Sequence, residues 1–201
     1  MNNSRPKVRL SRALGIPLTP KSVKYFEARP YPPGEHGRSR KTESDYKVRL
    51  REKQRLRAQY NIREVQLRNA FAKAAKHEGK TGEALLVDLE RRLDALVLRA
   101  GFARTIYQAR QFVVHRHVLV NGQRVDRPSY RLRPGDVITI AERSRPMAPF
   151  QVAATGAHAE NVPPYLEVRH DAFAAQFVRL PERKEIPVIC DEQLVVEHYS
   201  R

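Results

Sequence analysis

The chain has no tryptophan, a single cysteine at position 190, and 22 acidic residues against 38 Lys and Arg. One thiol excludes an intrachain disulfide and a multi-cysteine zinc site, so no metal is expected. Cys190 reads as a buried apolar thiol. No apolar run approaches the ~20 residues of a membrane-spanning helix. Residues 1–10 are basic with no apolar region behind them, so no signal peptide is expected and the chain is placed in the cytoplasm. A phosphate-cradling glycine loop and a His-Glu metal spacing are also missing, and the seven histidines are scattered. No catalytic constellation results, and neither a cofactor nor a small-molecule substrate is expected.

What is present is positive charge. The 201 residues, 41% hydrophobic, suffice for one or two packed domains with modest cores and a large wet surface. A net charge of +16 is high for an enzyme of small neutral substrates and ordinary for a chain bound to nucleic acid. A membrane surface could attract the same charge. The charge is also segregated. Residues 1–60 hold 16 Lys or Arg and 5 acids, whereas 151–201 hold 5 and 8. The N-terminal half is therefore expected to meet the polyanion, and the C-terminal part solvent or protein.

The most strongly patterned stretch runs from about residue 91 to 140. Leu85, Leu89, Leu93 and Leu96 recur at spacings of four, four and three, which predicts one helix with a buried stripe, stopped at Gly101. Thr105 with Gln108 is a capping-box start for a second helix. On that helix Ile106, Ala109 and Val113 fall on one side, and Arg104, Gln108, Gln111 and His115 on the other. Val118 to Val120 reads as a strand, Asn121-Gly122 as a tight hairpin turn, and Arg124-Val125 as the return. Pro134-Gly135-Asp136 is a second turn feeding a strand from Val137 to Ile140. Arg104, Arg110, His115, Arg116, His117, Arg124 and Arg127 cluster here with few acids, favouring a phosphate backbone as ligand.

Residues 1–43 carry six prolines and no sustained periodicity, predicting a basic arm with little regular helix or sheet that orders on nucleic acid. Within it, Arg29-Pro30-Tyr31-Pro32-Pro33-Gly34-Glu35-His36-Gly37-Arg38 is a stiff, glycine-containing turn before Arg38, Arg40 and Lys41, suited to close approach to a backbone. A helix is expected from Ser44 to about Tyr60. Its six cations Lys47, Arg49, Arg51, Lys53, Arg55 and Arg57 are too many to be paired internally. Asn61 with Glu64 is read as the cap of the next helix, whose end lies at Gly79. After Arg145-Pro146 the chain turns acidic. A loop is expected over 153–164, with short strands at Tyr165 to Val168, Phe173 to Leu180 and Gln193 to Val196. These strands are expected to face protein.

The ordered string Arg92-Leu93-Asp94, Ala109-Arg110-Gln111, Val120-Asn121-Gly122, Pro128-Ser129-Tyr130 and Gly135-Asp136-Val137-Ile138 resembles the RNA-binding fold shared by ribosomal protein S-four, some pseudouridine synthases and some aminoacyl-tRNA synthetases. The Arg29 to Arg38 segment, Lys80-Thr81-Gly82-Glu83 and Glu192 to Tyr199 extend the likeness to nearly the whole chain, which resembles the bacterial S-four family of small-subunit ribosomal proteins. That resemblance implies an α+β fold: a basic extended arm over 1–43, and a small α-helical domain over 44–90 with 145–201 packing back on it. An RNA-binding domain of two helices and a small antiparallel sheet is inserted over 91–144, and an acidic strand and loop region follows over 145–201. It implies a structural constituent of the small subunit that binds the 5′ domain of 16S ribosomal RNA early in assembly and lies where messenger RNA enters. It also implies contact with neighbouring small-subunit proteins and an influence on decoding accuracy. Beyond the residues already named, Arg68, Arg92, Asn121 and Gly122 complete the expected RNA contacts. Many members carry an N-terminal four-cysteine zinc knuckle, which this chain lacks. The competing classes are an RNA-modifying enzyme and a free-standing quality-control RNA binder. The trio Arg92-Leu93-Asp94 resembles that of some pseudouridine synthases but is followed by Ala95-Leu96-Val97 rather than Thr-Ser-Gly, so Asp94 is expected on a helix surface.

Overall fold

The computed structural model describes residues 6–39, 42–159 and 161–200. The chain divides into two units, Met1–Ala72 with Val188–Arg201, and Lys73–Pro187.

In the first unit, helix α1 (Lys7–Leu14) ends at Gly15, left-handed at φ 69°. Helix α2 (Pro20–Ala28) begins on a Thr19/Ser22 capping box with proline in its first turn. The arm thus holds more helix than its prolines suggested. Pro6 stands before α1 and Pro20 at the first helical position, where a missing N–H costs nothing. Helix α3 (Asp45–Gln59) is capped by Ser44, which accepts from the Lys47 N–H. Helix α4 (Glu64–Ala74) does not start from Asn61, which is left-handed at φ 47°. Instead the Arg63 N–H donates to Gln66 Oε1 at 3.0 Å. The expected strand at 193–196 is also overturned. Asp191 accepts from the N–H groups of Gln193 and Leu194 and opens helix α9 (Glu192–Tyr199), which packs along α3. Val195 is buried and Tyr199 stacks on Phe71 at 4.9 Å, so the cap and one apolar face outweigh the strand preference of two adjacent valines.

The second unit opens with helices α5 (Thr81–Glu90) and α6 (Leu93–Arg99). The leucine stripe is buried as read, all four side chains being at most 1% exposed, but it spans two helices rather than one. Arg92 is extended, at ψ 140°, because the backbone there pairs with a returning segment. Leu93 N–H donates to Tyr130 O and Leu132 N–H to Arg91 O, both at 2.9 Å. Helix α7 (Ile106–Val114) follows, with strands β1 (Val118–Val120), β2 (Gln123–Arg124) and β3 (Val137–Ile140), helix α8 (Ala148–Ala154), and strands β4 (Leu166–Arg169) and β5 (Ala174–Phe177). All the strands join one antiparallel sheet in the order β2-β1-β3-β5-β4. The acidic C-terminal strands therefore do not form a part of their own. Ile138 sits opposite Ala175, so β5 extends the hairpin's sheet and its buried face shares one core with α6 and α7. Phe112 and Phe150 meet at 4.5 Å inside that core.

Candidate nucleic-acid interface

The Arg29 to Arg38 segment is held by Arg12 from α1 and by its own Arg38. Arg12 Nε donates to the carbonyls of Arg29 and Tyr31, both at 3.1 Å. The guanidinium groups of Arg12 and Arg38 lie 4.9 and 4.8 Å from the Tyr31 ring centroid, two cation–π contacts on one ring. Arg38 also donates to the Tyr31 hydroxyl at 3.2 Å, and that bond lowers the phenol below its usual range. A Cβ on Gly37 would stand 2.0 Å from the Pro32 carbonyl oxygen, so only glycine closes the turn. His36 and Arg38 remain exposed. Arg40 and Lys41 lie outside the described residues. Arg12 was missed from sequence, since nothing local marks a side chain that acts 17 to 20 residues away.

On α3 every one of the six cations has a carboxylate, contrary to the count made along the helix alone. Glu43 takes Lys47 at 3.3 Å and Arg51 at 2.5 Å, Glu52 takes Arg55 at 2.5 Å, and Glu197 takes Arg49 at 3.3 Å. Glu64 takes Lys53 at 3.0 Å and Arg57 at 3.4 Å, and accepts from the Tyr199 hydroxyl at 2.8 Å. Burial pushes the Glu64 carboxyl up, but the bonds from Lys53 and Tyr199 win and hold it below its ordinary value. Lys53 is buried and so removed from any RNA-facing surface. The partly exposed pairs are worth about 1 kcal/mol or less. Lys47, Arg51 and Arg57 can therefore exchange carboxylate for phosphate at small cost. On α4, Arg68 is exposed.

In the second unit the polar side of α7 is as the periodicity predicted. Arg104, Gln111 and His115 are exposed while Ile106, Ala109, Phe112 and Val113 are buried. Thr105 caps the helix by accepting from the Gln108 N–H at 3.2 Å. The Gln108 side chain reaches the Arg104 N–H at 2.8 Å, one residue beyond the box expected. Arg116 is left-handed at φ 61° and pairs with Asp126 at 2.9 Å. His117 is only partly exposed: its Nδ1 lies 2.8 Å from Ser144 Oγ and its ring packs edge-on to Phe112. Burial, then the charges of His115 and Arg143, lower its pKa. In the hairpin, Asn121 at φ 51° and Gly122 at φ 79° supply the turn, and Arg124 is exposed. The Asn121 amide is engaged in joining the two turns, donating to Asp136 Oδ1 and accepting from the Val137 N–H, both at 2.9 Å.

Arg92 and Asp94 are corrected by burial. Arg92 is 2% exposed and grips Asp94 in a bidentate pair at 2.9 and 2.6 Å. Neither reaches the surface, so Arg92 contacts no RNA and Asp94 is no helix-surface residue. Burial pushes the Asp94 carboxyl up, against the pull of Arg92 and Arg110. Elsewhere, Asp88 is bidentate with Arg131 at 3.1 and 2.8 Å, and the buried Glu90 accepts from Arg99 at 2.6 Å and the Tyr165 hydroxyl at 2.7 Å. Among the described residues no group of three or more His, Cys, Asp or Glu is placed to hold a metal ion. No described helix is long and apolar enough to cross a membrane.

Two family models match the chain, one described as ribosomal protein S4/S9 N-terminal domain over residues 2–90 and one as S4 domain over 91–138. A protein of Streptomyces griseus named small ribosomal subunit protein uS4 is 67% identical over all of this chain and 99% of its own length. The chain belongs to the uS4 family. The proteins of that name from Streptomyces coelicolor, 65% identical over 100% of the chain and 99% of their own length, and Beutenbergia cavernae, 64% identical over 98% and 97%, extend the match. This is a family of ribosomal proteins and not of enzymes. Within this uS4-family chain the second matched region takes in α6, α7, β1 and β2 and reaches into β3, and Arg104, Gln111, His115 and Arg124 fall inside it.

Proposed function

We propose that this chain is a structural constituent of the cytoplasmic small ribosomal subunit and a primary binder of the 5′ domain of 16S ribosomal RNA, nucleating assembly. The observation that carries the reading is end-to-end identity of 67% with a protein named for that subunit, joined to an α7 whose apolar side is buried and whose polar side, with the flanking Arg104 and His115, is exposed. Binding is electrostatic capture followed by shape recognition. With on the order of ten phosphate contacts, affinity falls about 10³- to 10⁵-fold from low to physiological salt. Exposed arginines offer phosphate two parallel donors and can stack on bases, which lysine cannot match. Contact with entering messenger RNA by the basic tract Arg38 to Lys41 and Arg49, contact with neighbouring subunit proteins, and an effect on decoding accuracy belong to the same reading.

The test is chemical footprinting of small-subunit ribosomal RNA with and without the purified protein, at moderate salt and with transfer RNA as competitor. Compact, competitor-resistant protection of a helical junction in the 5′ domain is expected. Diffuse protection that competitor erases would reduce the chain to a general polyanion binder.

A further inference from the structure

Where α6 and α7 pack, two guanidinium groups meet one carboxylate. Asp94 is 0% exposed and its oxygens are taken. Oδ1 accepts from Arg92 Nε at 2.9 Å and from the Ala95 N–H at 3.1 Å, and Oδ2 from Arg92 Nη2 at 2.6 Å. Arg110 Nη1 lies 3.7 Å from that Oδ2, beyond hydrogen-bond reach. This nitrogen is shut off from solvent and has no hydrogen-bond partner among the described residues, although the Arg110 side chain as a whole is 30% exposed. The cluster therefore carries one positive charge more than it has negative, and the Arg110 side chain runs between the buried carboxylate and the surface.

A buried charged donor without a partner is costly. An ordinary surface arginine would swing into water to avoid it, and Arg110 is kept in place by the attraction of Asp94 across 3.7 Å. We propose that Asp94, locked by Arg92, is a positioning residue that holds Arg110 with one edge of its fork inward and the other aimed at a phosphodiester oxygen of the RNA. The inference rests on the RNA-binding reading above and names a buried device beneath it. Arginine suits the task because its planar fork presents donors along two edges at once, whereas an ammonium group is a point charge. A carboxylate is tolerated beneath a polyanion-binding surface because Arg92 neutralises it from within. The arriving phosphate supplies the missing negative charge, and two guanidiniums, one carboxylate and one phosphodiester sum to zero.

Bulk electrostatics and this device give opposite signs for Asp94→Asn. Removing a negative charge from a polyanion binder should tighten binding, whereas loss of positioning weakens it. The full chain, as wild type, Asp94→Asn, Arg110→Gln, the double variant and Arg110→Lys, is titrated with small-subunit ribosomal RNA across a salt series, and each free protein is melted. Asp94→Asn and Arg110→Gln should each weaken binding about tenfold. Each should flatten the slope of log K against log salt by about 0.7 to 0.9, one phosphate contact. The double variant should be no worse than either single one, and Arg110→Lys should lie nearer Gln than wild type. A merely structural Asp94 lowers the melting temperature and leaves the slope alone. Tighter binding, or an unchanged slope, in Asp94→Asn overturns the inference. If Asp94→Asn does not fold, Arg110→Lys decides, and wild-type affinity with lysine overturns it. Diffuse, competitor-erasable binding by the wild type sinks the RNA-binding reading and this inference with it. Specific wild-type binding with an unaltered Asp94→Asn slope strikes the inference alone.

Discussion

Tyr165→Phe probes the polar knot beneath the second unit's sheet. Tyr165 is fully buried, its hydroxyl donates to Glu90 Oε1 at 2.7 Å, and its ring meets Phe177 edge-on at 6.3 Å. Phenylalanine keeps the ring contacts and the buried area, so the change isolates one donor to a carboxylate that is itself 0% exposed. A hydrogen bond to a charged group contributes about 1.5 to 3 kcal/mol. A loss of about 2 kcal/mol from a unit of roughly a hundred residues lowers its melting temperature by about 8 °C or somewhat more. Scanning calorimetry at neutral pH reads that shift. The pH limb gives a second signature. Burial first, and then the Glu90 charge, push the Tyr165 phenol far above its ordinary 10.0. Above about pH 10 the unfolded chain therefore loses a proton that the folded chain keeps. The unfolded state binds fewer protons there, so stability falls as pH rises, by about 1.4 kcal/mol per pH unit for this one group. The variant lacks that part of the alkaline loss. A shift below about 1 °C at neutral pH, or identical alkaline limbs in the two proteins, would refute the assignment of Tyr165 as a working donor.

Gly37→Ala forces a methyl group against the Pro32 carbonyl, so the 29–38 turn should open and be cut faster by protease, and an unchanged cleavage rate would contradict the packing. Phe150→Ala empties a fully buried site beside Phe112 and should cost about 3 to 5 kcal/mol in urea unfolding. Because Glu64 is held below 4.5 in the fold, its stabilisation is present above that pH and is lost on acidification through the lower folded value. Melting curves of Glu64→Gln should accordingly flatten between neutral pH and about pH 3 relative to wild type. Arg104→Glu, at an exposed position just before the Thr105 cap of α7, should leave stability within about 0.5 kcal/mol while weakening binding to small-subunit ribosomal RNA in a filter assay.

Periodicity and turn chemistry made the second unit legible. The α7 faces, the Thr105 cap, the Asn121-Gly122 turn and β3 are all local patterns, and each was read within a residue or two. What escaped reading depended on partners far along the chain. The leucine stripe breaks at Arg92 because residues 130–132 pair with its backbone. Beyond the neighbouring Glu43 and Glu52, the cations of α3 are met by Glu64 and by Glu197, which lies 148 residues from Arg49. Strand preference at 193–196 yielded to an Asp191 cap and to packing against α3. Burial of Arg92 and Asp94 had no local signal, since both types ordinarily stand in water.

The first unit has a consequence in time. Gln59 on α3 exchanges two hydrogen bonds with the backbone of Ile189, 130 residues later, and buried Glu52 accepts from the Asp191 N–H at 3.2 Å. While the chain emerges from a ribosome, α3 must stand with one flank open until all of Lys73–Pro187 has been made and α9 follows. The sheet unit, continuous in sequence, can close in that interval. Any product that stops short of Val188 lacks the Asp191 N–H that Glu52 accepts from and leaves uncovered the side of α3 on which α9 packs. The wrapped order of the chain thus makes synthesis through α9 a condition of a finished surface on the first unit.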